Sequence, residues 1–441
     1  IHGSSEYDGE VHVDGFDVNL VAFEGSPEGM PFDTPIAEYV YDYSANLAEV
    51  ETGGVRMNLI PKEGSNAFTG GFYTNFAHPS WLANNVSQEI VDRGLTGGKD
   101  GGLRGDQSWM FAPSLGGPIV EDRLWFFISF SQRKASFFPP SLFNNTDTSA
   151  MMYVPDLDNP TKSVSDTYEG TGRFTLQATA SDKVQVYWSN NHTRQVPALS
   201  GSNLFPLYIA PESGSEGTGG INTYQLTWTR PQSDRILFEA GVSYLPAHNI
   251  LYPLNNAYGS PGNGAHLGAR TDLPGVFEFS NLTLSRNMGF IFRGSTVHFS
   301  TKNQSARASM SYVTGSHNLK VGVTHNMKRQ SEAYQSDTWT NLGTFYGVPA
   351  QAYFESRPPE TNELTNMGIY VQDQWTLDRV TVNAGVRFDY FKGFYPDHTS
   401  MPGMPTHSFW APNPISFEGA TAVSWKDLQP RLGLGRLGWA H

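Results

Sequence analysis

Leu377-Asp378-Arg379-Val380-Thr381-Val382-Asn383-Ala384-Gly385-Val386-Arg387-Phe388-Asp389-Tyr390 is the stretch whose reading decides the fold. From Val380 onward, apolar residues fill every second position (Val380, Val382, Ala384, Val386, Phe388, Tyr390). Thr381, Asn383, Gly385, Arg387 and Asp389 fall between them. A period of two belongs to a strand with one apolar and one polar face. The run is about 11 residues long, the length a tilted strand needs to cross a bilayer, against roughly 5–6 for an ordinary soluble strand. A membrane barrel turns such an apolar face to lipid and ends it in an aromatic girdle. A soluble sandwich turns the same face to a core, so alternation by itself leaves both architectures open.

The connections separate them. Arg173–Ala180, Thr223–Thr229 and Ile236–Tyr244 alternate in the same way. Tight turns rich in Asp and Ser join such runs: Glu121-Asp122-Arg123, Ser181-Asp182-Lys183, Ser233-Asp234-Arg235, Gly315-Ser316-His317 and Leu377-Asp378-Arg379. Asp and Ser suit these positions because their side chains bond nearby backbone. Long polar segments fill the gaps between hairpins, near 136–170, 190–220, 246–303, 328–362 and 391–427. Short and long connections therefore alternate, which is the layout of an outer-membrane barrel. About twelve strands are expected, near 66–77, 106–119, 123–135, 171–181, 183–194, 221–231, 234–246, 304–315, 317–329, 363–377, 379–391 and 428–437. Residues 1–62 read differently, as part of a small α+β unit.

Composition agrees. The 441 residues are 38% hydrophobic and only 16% charged, with 45 Gly and 28 Pro. Gly and Pro at that density interrupt long helices. The 13% aromatic content argues against disorder. A net charge of −13 disfavours a nucleic-acid partner, which needs a basic face. The absence of Cys excludes disulfides, thiolate metal sites and a Cys nucleophile. No signal peptide is visible, and no run of apolar residues is long enough for a transmembrane helix. The chain starts at Ile1 and stops inside the pattern Leu432-Gly433-Leu434-Gly435, so it reads as an internal piece of a longer protein.

Val13-Asp14-Gly15-Phe16-Asp17 and the stretch from Ala48 to Gly70 then carry a resemblance. The second contains Gly53-Gly54-Val55-Arg56-Met57-Asn58 and Lys62-Glu63-Gly64-Ser65-Asn66-Ala67-Phe68-Thr69-Gly70. It resembles the plug-to-barrel junction of Oar-like TonB-dependent outer-membrane receptors, and Val13-Asp14-Gly15 resembles a segment of their plug. Leu115-Gly116-Gly117-Pro118-Ile119, Tyr370-Val371-Gln372-Asp373-Gln374-Trp375 and Leu428-Gln429-Pro430-Arg431-Leu432-Gly433 add support. The resemblance implies a 22-stranded barrel filled by a plug. This chain would then hold the C-terminal part of the plug (1–62) and the first half of an all-β, antiparallel transmembrane barrel (63–441). It further implies active uptake of an unidentified extracellular ligand, with the TonB complex and outer-membrane lipid as partners. The TonB contact would lie in an N-terminal region outside this sequence.

No motif for covalent catalysis is present: no G-x-S-x-G, H-E-x-x-H, phosphate loop or dinucleotide fingerprint. Gly97-Gly98-Lys99-Asp100-Gly101-Gly102 lacks phosphate-loop spacing. Glu239, Asp373 and Asp389 sit in or near alternating strands, and Glu239 and Asp389 would face a wet lumen rather than form a glycosidase pair. The twelve His residues are scattered, without the short spacings common at zinc sites, and no metal or cofactor is expected. The site expectations are two. The resemblance implies that Gly53, Gly54, Arg56, Asn58, Lys62, Gly64 and Asn66 anchor the junction. Trp81, Phe137, Phe138, Tyr208, Phe345, Tyr346, Phe409 and Trp410 would meet ligand from the loops, as aromatic faces stack on sugars and apolar groups. A soluble carbohydrate-active enzyme or lectin is the alternative; a passive porin or adhesin is a third reading. The barrel reading predicts that the purified chain aggregates in plain buffer and recovers a β circular-dichroism signal only in detergent micelles. A monodisperse β protein in buffer alone would favour the soluble alternative.

Overall fold

The computed structural model describes residues 9–20, 35–42, 47–51, 54–198, 208–254, 272–286, 296–335, 340–354, 359–377, 380–399 and 415–436. Four short strands come first: β1 (Glu10–Val13), β2 (Phe16–Asp17), β3 (Ile36–Asp42) and β4 (Arg56–Pro61). They form one small mixed sheet in the order β2-β1-β4-β3. Its described residues are strands and turns only. Twelve longer strands follow, named β5 to β16 in chain order: Thr69–Ala77, Arg104–Val120, Leu124–Phe138, Ser163–Gln177, Lys183–Ala198, Ser215–Pro231, Ile236–Pro253, Thr296–Thr314, His317–Gln335, Glu360–Leu377, Val380–Tyr395 and Ala420–Arg436. Each pairs antiparallel with its sequence neighbours, giving a single meandering sheet.

Every strand expected from the alternation is present, and most run further toward the long connections. β8 begins at Ser163 rather than near 171, and β11 reaches Pro253. The ladder outlasts the alternation because backbone pairing needs no particular side chain, whereas the apolar stripe is needed only where lipid lies. At the other end the turns are tight. Asp122 and Gly315 take positive φ (60° and 56°), as two-residue reversals require. Asp182 accepts from Thr179 Oγ1 (2.5 Å) and from the Trp228 ring (3.0 Å). Asp378 and Arg379 lie outside the described residues.

The two faces of the sheet are inverted relative to a soluble protein. Phe174, Val186, Leu226 and Val242 face outward and exposed, and they pair with one another across β8 to β11. The alternate positions Thr167, Glu169, Thr171, Arg173 and Thr175 of β8 face inward and are buried. Rows of paired residues also climb along the strands. Phe174 is three residues from Gln177 at the tight-turn end, whereas Met367, in the same row, is ten from Leu377. That climb is the strand tilt that curls a sheet into a barrel.

The long connections are not slack. Tyr208–Ile209, Gly275–Glu278, Thr283–Ser285, Thr340–Phe345 and Val348–Phe354 come from three different connections and pair into one five-stranded sheet. Ile209, Phe277 and Leu284 make its small core. Two buried carboxylates stitch it. Glu278 accepts from the backbone N–H of Ser280, Tyr346 and Gly347 (2.9 Å each) and from Thr344 Oγ1 (2.8 Å). Glu212 accepts from Asn145 Nδ2 (2.7 Å) and from the Arg286 backbone N–H (3.3 Å). The Arg286 guanidinium donates to the carbonyls of Ser149 (2.5 Å) and Ala150 (3.0 Å), which ties in a fourth connection.

Two predictions follow from this architecture. Val323 faces outward on β13, so Val323→Arg places a charge against lipid and costs about 2–4 kcal/mol. It is read as a shift of the urea midpoint in lipid vesicles, with Val323→Leu near wild type. In the loop sheet, burial opposes the charge of Glu278, but its hydrogen bonds outweigh burial and hold the carboxyl at about 2, below its ordinary 4.5. A depressed folded pKa stabilises at pH above the unfolded value, so this contribution is complete above about 4.5 and fades as pH falls toward 2. Protease sensitivity of residues 340–354 should rise over that acid window, and Glu278→Ala should show the same sensitivity at pH 7.

Candidate functional site on the inner wall

The small sheet lies against the inward face of β8 to β15, and its own sequence explains how it is held. Val13-Asp14-Gly15-Phe16 is a two-residue hairpin with positive φ at Asp14 (50°) and Gly15 (76°). Gly15 is needed twice over, since a Cβ there would lie 2.7 Å from Nη1 of Arg307. Two wall arginines grip this turn from different strands. Arg173 on β8 pairs with the Asp14 carboxylate and donates to the Pro61 carbonyl at 2.7 Å. Arg307 on β12 donates to the Asp14 carbonyl (2.9 Å) and covers the Phe16 ring at 4.8 Å. Gln225 donates to the Val13 carbonyl at 3.1 Å. Inside the small sheet, Asn58 Oδ1 accepts the Gly15 N–H at 2.8 Å.

A second contact forms around residues 47–51. Arg387, fully buried on β15, donates to the carbonyls of Ala48 (3.4 Å) and Glu49 (3.2 Å). It also pairs with Asp389 at 2.8 Å and with Glu51 at 3.5 Å. Gln372 accepts the Glu49 N–H (3.0 Å), and Lys320 pairs with the Glu49 carboxylate. Lys328 pairs with Asp17 and donates to the Asn19 carbonyl at 3.1 Å. Between these polar contacts, Val11, Val13, Val18, Leu20, Ile36 and Leu59 share one apolar cluster with Tyr187, Ile221, Leu245 and Ala247 of the wall. Glu10, Asp17, Glu51, Arg56, Arg307 and Lys320 line a cleft between sheet and wall. Removing one partner of a buried ion pair costs about 3–5 kcal/mol, because the other charge is left uncompensated.

The passage from small sheet to wall is also fixed. Glu63 accepts from Lys183 (3.1 Å) and Gln185 (2.7 Å). A Cβ on Gly64 would stand 2.3 Å from the Phe126 carbonyl, so only glycine lets the chain cross the wall strand here. Asn66 closes the corner: it donates to Asp122 Oδ1 (2.6 Å) and accepts from the Asp122 N–H (2.9 Å) and the Trp125 ring N–H (2.6 Å).

The expected junction residues thus divide. Gly64 and Asn66 touch the wall, and the Lys62 ammonium lies 6.0 Å from the Phe127 ring. Arg56 and Asn58 act within the small sheet, Arg56 pairing with Asp42 at 3.7 Å. Gly54 is buried there, and Gly53 lies outside the described residues. The loop aromatics do not converge on one patch. Tyr346 (78% exposed, φ 48°) caps a hairpin of the loop sheet, with Phe345 beside it stacked on Phe279 at 5.3 Å. Trp81 is exposed beside Phe76 after β5. Tyr208 is packed among polar partners, its hydroxyl donating to the Ser141 carbonyl at 2.9 Å and lying 3.0 Å from the Tyr153 hydroxyl. Phe138 lies under Arg104 at 4.9 Å, and Phe137 is half-buried at the end of β7. Phe409 and Trp410 lie outside the described residues. The sequence reading did not single out Arg173, Arg307, Lys320 or Lys328 as holding residues. Their signal was a long cation on the polar face of an alternating strand, which marks the inward side but names no partner.

Comparison with known proteins places this geometry. A family described as outer membrane beta barrel domain matches residues 135–435. The TonB-dependent transporter Oar of Myxococcus xanthus is 25% identical over 88% of this chain, which covers 43% of that protein. The outer membrane transporter YddB of Escherichia coli superposes with a TM-score of 0.61 at 12% identity, over 90% of this chain and 53% of its own. The ferric yersiniabactin uptake receptor FyuA of Yersinia pestis gives 0.56 at 11% identity, over 98% and 53%. The chain thus spans about half the length of the relatives it matches. The inverted faces, the tilted meander and the family match agree: this chain belongs to the outer-membrane β-barrel family, and its wall is one of the bacterial outer membrane.

Proposed function

We propose that the chain is part of a TonB-dependent receptor that actively takes up an extracellular ligand. In this reading residues 1–62 are the C-terminal part of a plug and residues 63–441 the first half of the barrel wall around it. One observation carries the proposal: a folded sheet is fastened inside the wall chiefly through polar groups. Each such charge-assisted hydrogen bond contributes only about 1.5–3 kcal/mol net, because water takes its place when it breaks. An interface of this kind holds a resting plug, and force applied from the periplasm can release it. A passive porin gives no reason for a seated sheet. The similarity to a TonB-dependent transporter supports the same reading.

The roles follow. Lys62, Gly64 and Asn66 anchor the junction, with Gly53, Gly54, Arg56 and Asn58 shaping the segment before it. The exposed aromatics Trp81, Phe345 and Tyr346 offer the first surface to a ligand, and the five-stranded loop sheet holds the last two in place. TonB is the periplasmic partner and outer-membrane lipid surrounds the wall.

The test compares compounds removed from a complex medium by wild-type cells, by cells lacking this gene and by cells lacking TonB. Uptake lost in both mutants, with Tyr346→Ala weakening it several-fold, is the expected result. Uptake that needs this gene but not TonB would overturn the active-transport reading.

A further inference from the structure

We propose that His192 and His248 form a binding site for a divalent transition-metal ion on the outer face of the wall, in the space left by Gly220. His192 of β9 is directly opposite Gly220 of β10, and Gly220 is directly opposite His248 of β11. The two imidazoles therefore flank one glycine on the same side of the sheet. Adjacent strands lie about 4.8 Å apart, so the two histidines stand two ladder steps from each other and meet only if nothing rises between them. Nothing does. A Cβ built on Gly220 would lie 2.7 Å from Cε1 and 3.2 Å from Nε2 of His248, and 3.5 Å from Nδ1 of His192. The edges of both imidazoles thus reach into the space that the glycine leaves, with a ring nitrogen of each beside it.

The surroundings favour a metal. Thr218 Oγ1 is 3.3 Å from His192 Nε2, which orients that ring with its other nitrogen toward Gly220. The position lies outside the lumen, on the face that carries Trp188, Tyr224 and Tyr244, and on the loop side of those rings. There the outward residues turn polar, beginning with the Asn190–Asn222 hydrogen bond at 2.7 Å. At such a polar level water would fill the remaining coordination positions. Paired imidazoles with water suit Cu²⁺ or Zn²⁺, and Cu²⁺ binds the more tightly of the two. The three residues are far apart in sequence and only the strand register unites them, so no short histidine motif announces the site.

The test uses the full-length protein purified in detergent without a histidine tag, freed of metal by chelation and titrated with Cu²⁺. Electron paramagnetic resonance counts the coordinating nitrogens. The expected result is one equivalent with two imidazole nitrogens, weakened at least about tenfold by His192→Asn or His248→Asn and absent in the double variant. Gly220→Ala, which fills the shared space, should also abolish the two-nitrogen signal while heat-modifiable gel mobility shows an intact barrel. A two-nitrogen signal surviving in the double variant, or no difference between wild type and the single variants, would overturn the proposal.

Discussion

Lipid offers no hydrogen bonds, so each backbone N–H and C=O inside the bilayer must find its partner within the protein. In this chain that constraint is met between neighbours by antiparallel ladders running from β5 to β16, with the outer edges of these two strands left without a ladder among the described residues, and nearly everything else is arranged around them. Because the ladder satisfies the backbone whatever the side chains are, the two faces of the sheet are free to differ. One becomes apolar enough for lipid; the other becomes polar enough to line a lumen. Arg173 and Phe174 are sequence neighbours, yet one is buried among polar groups and the other is bare to the membrane. Burial here marks the polar side, the reverse of a soluble domain.

The inward face determines what the small sheet can do. Its few apolar residues are enough to seat it against Tyr187 and Leu245, while its edges are held by Arg173, Arg307 and Arg387. All three long, delocalised cations reach backbone carbonyls, and Arg173 and Arg387 reach carboxylates as well. They recognise the course of the chain, not only its charges. Beyond the membrane the same ladders continue until the connections leave them, and there buried carboxylates take over. Glu278 gathers the N–H groups of a hairpin turn and so displays Tyr346 at its tip.

Much of the wall was legible in the sequence because a half-exposed strand imposes its period on every residue. The Val380–Tyr390 alternation placed β15 within a few residues, and the Asp- and Ser-bearing turns placed the tight end of most hairpins. The loop-side ends of β8, β10, β11 and β12 were less legible. There both faces of the strand meet water and the period carries no apolar contrast. Gly64 and Asn66 were marked only through the resemblance of residues 48–70 to a known junction, not through periodicity. Gly64 is written into the sequence as glycine because a wall carbonyl passes where its Cβ would be.

By itself the sequence determined the strands, their alternating connections and the outward apolar face. These depend on local spacing, which the chain carries wherever it goes. Tertiary structure alone decided which inward cations hold Asp14, Ala48 and Glu49, how four connections join in one stitched cap, and that His192 and His248 flank Gly220. The physical reason is register. A slide of one residue between two strands moves a side chain to the opposite face, and a slide of two gives it different neighbours. Partners drawn from distant strands are fixed only when all the ladders are formed together.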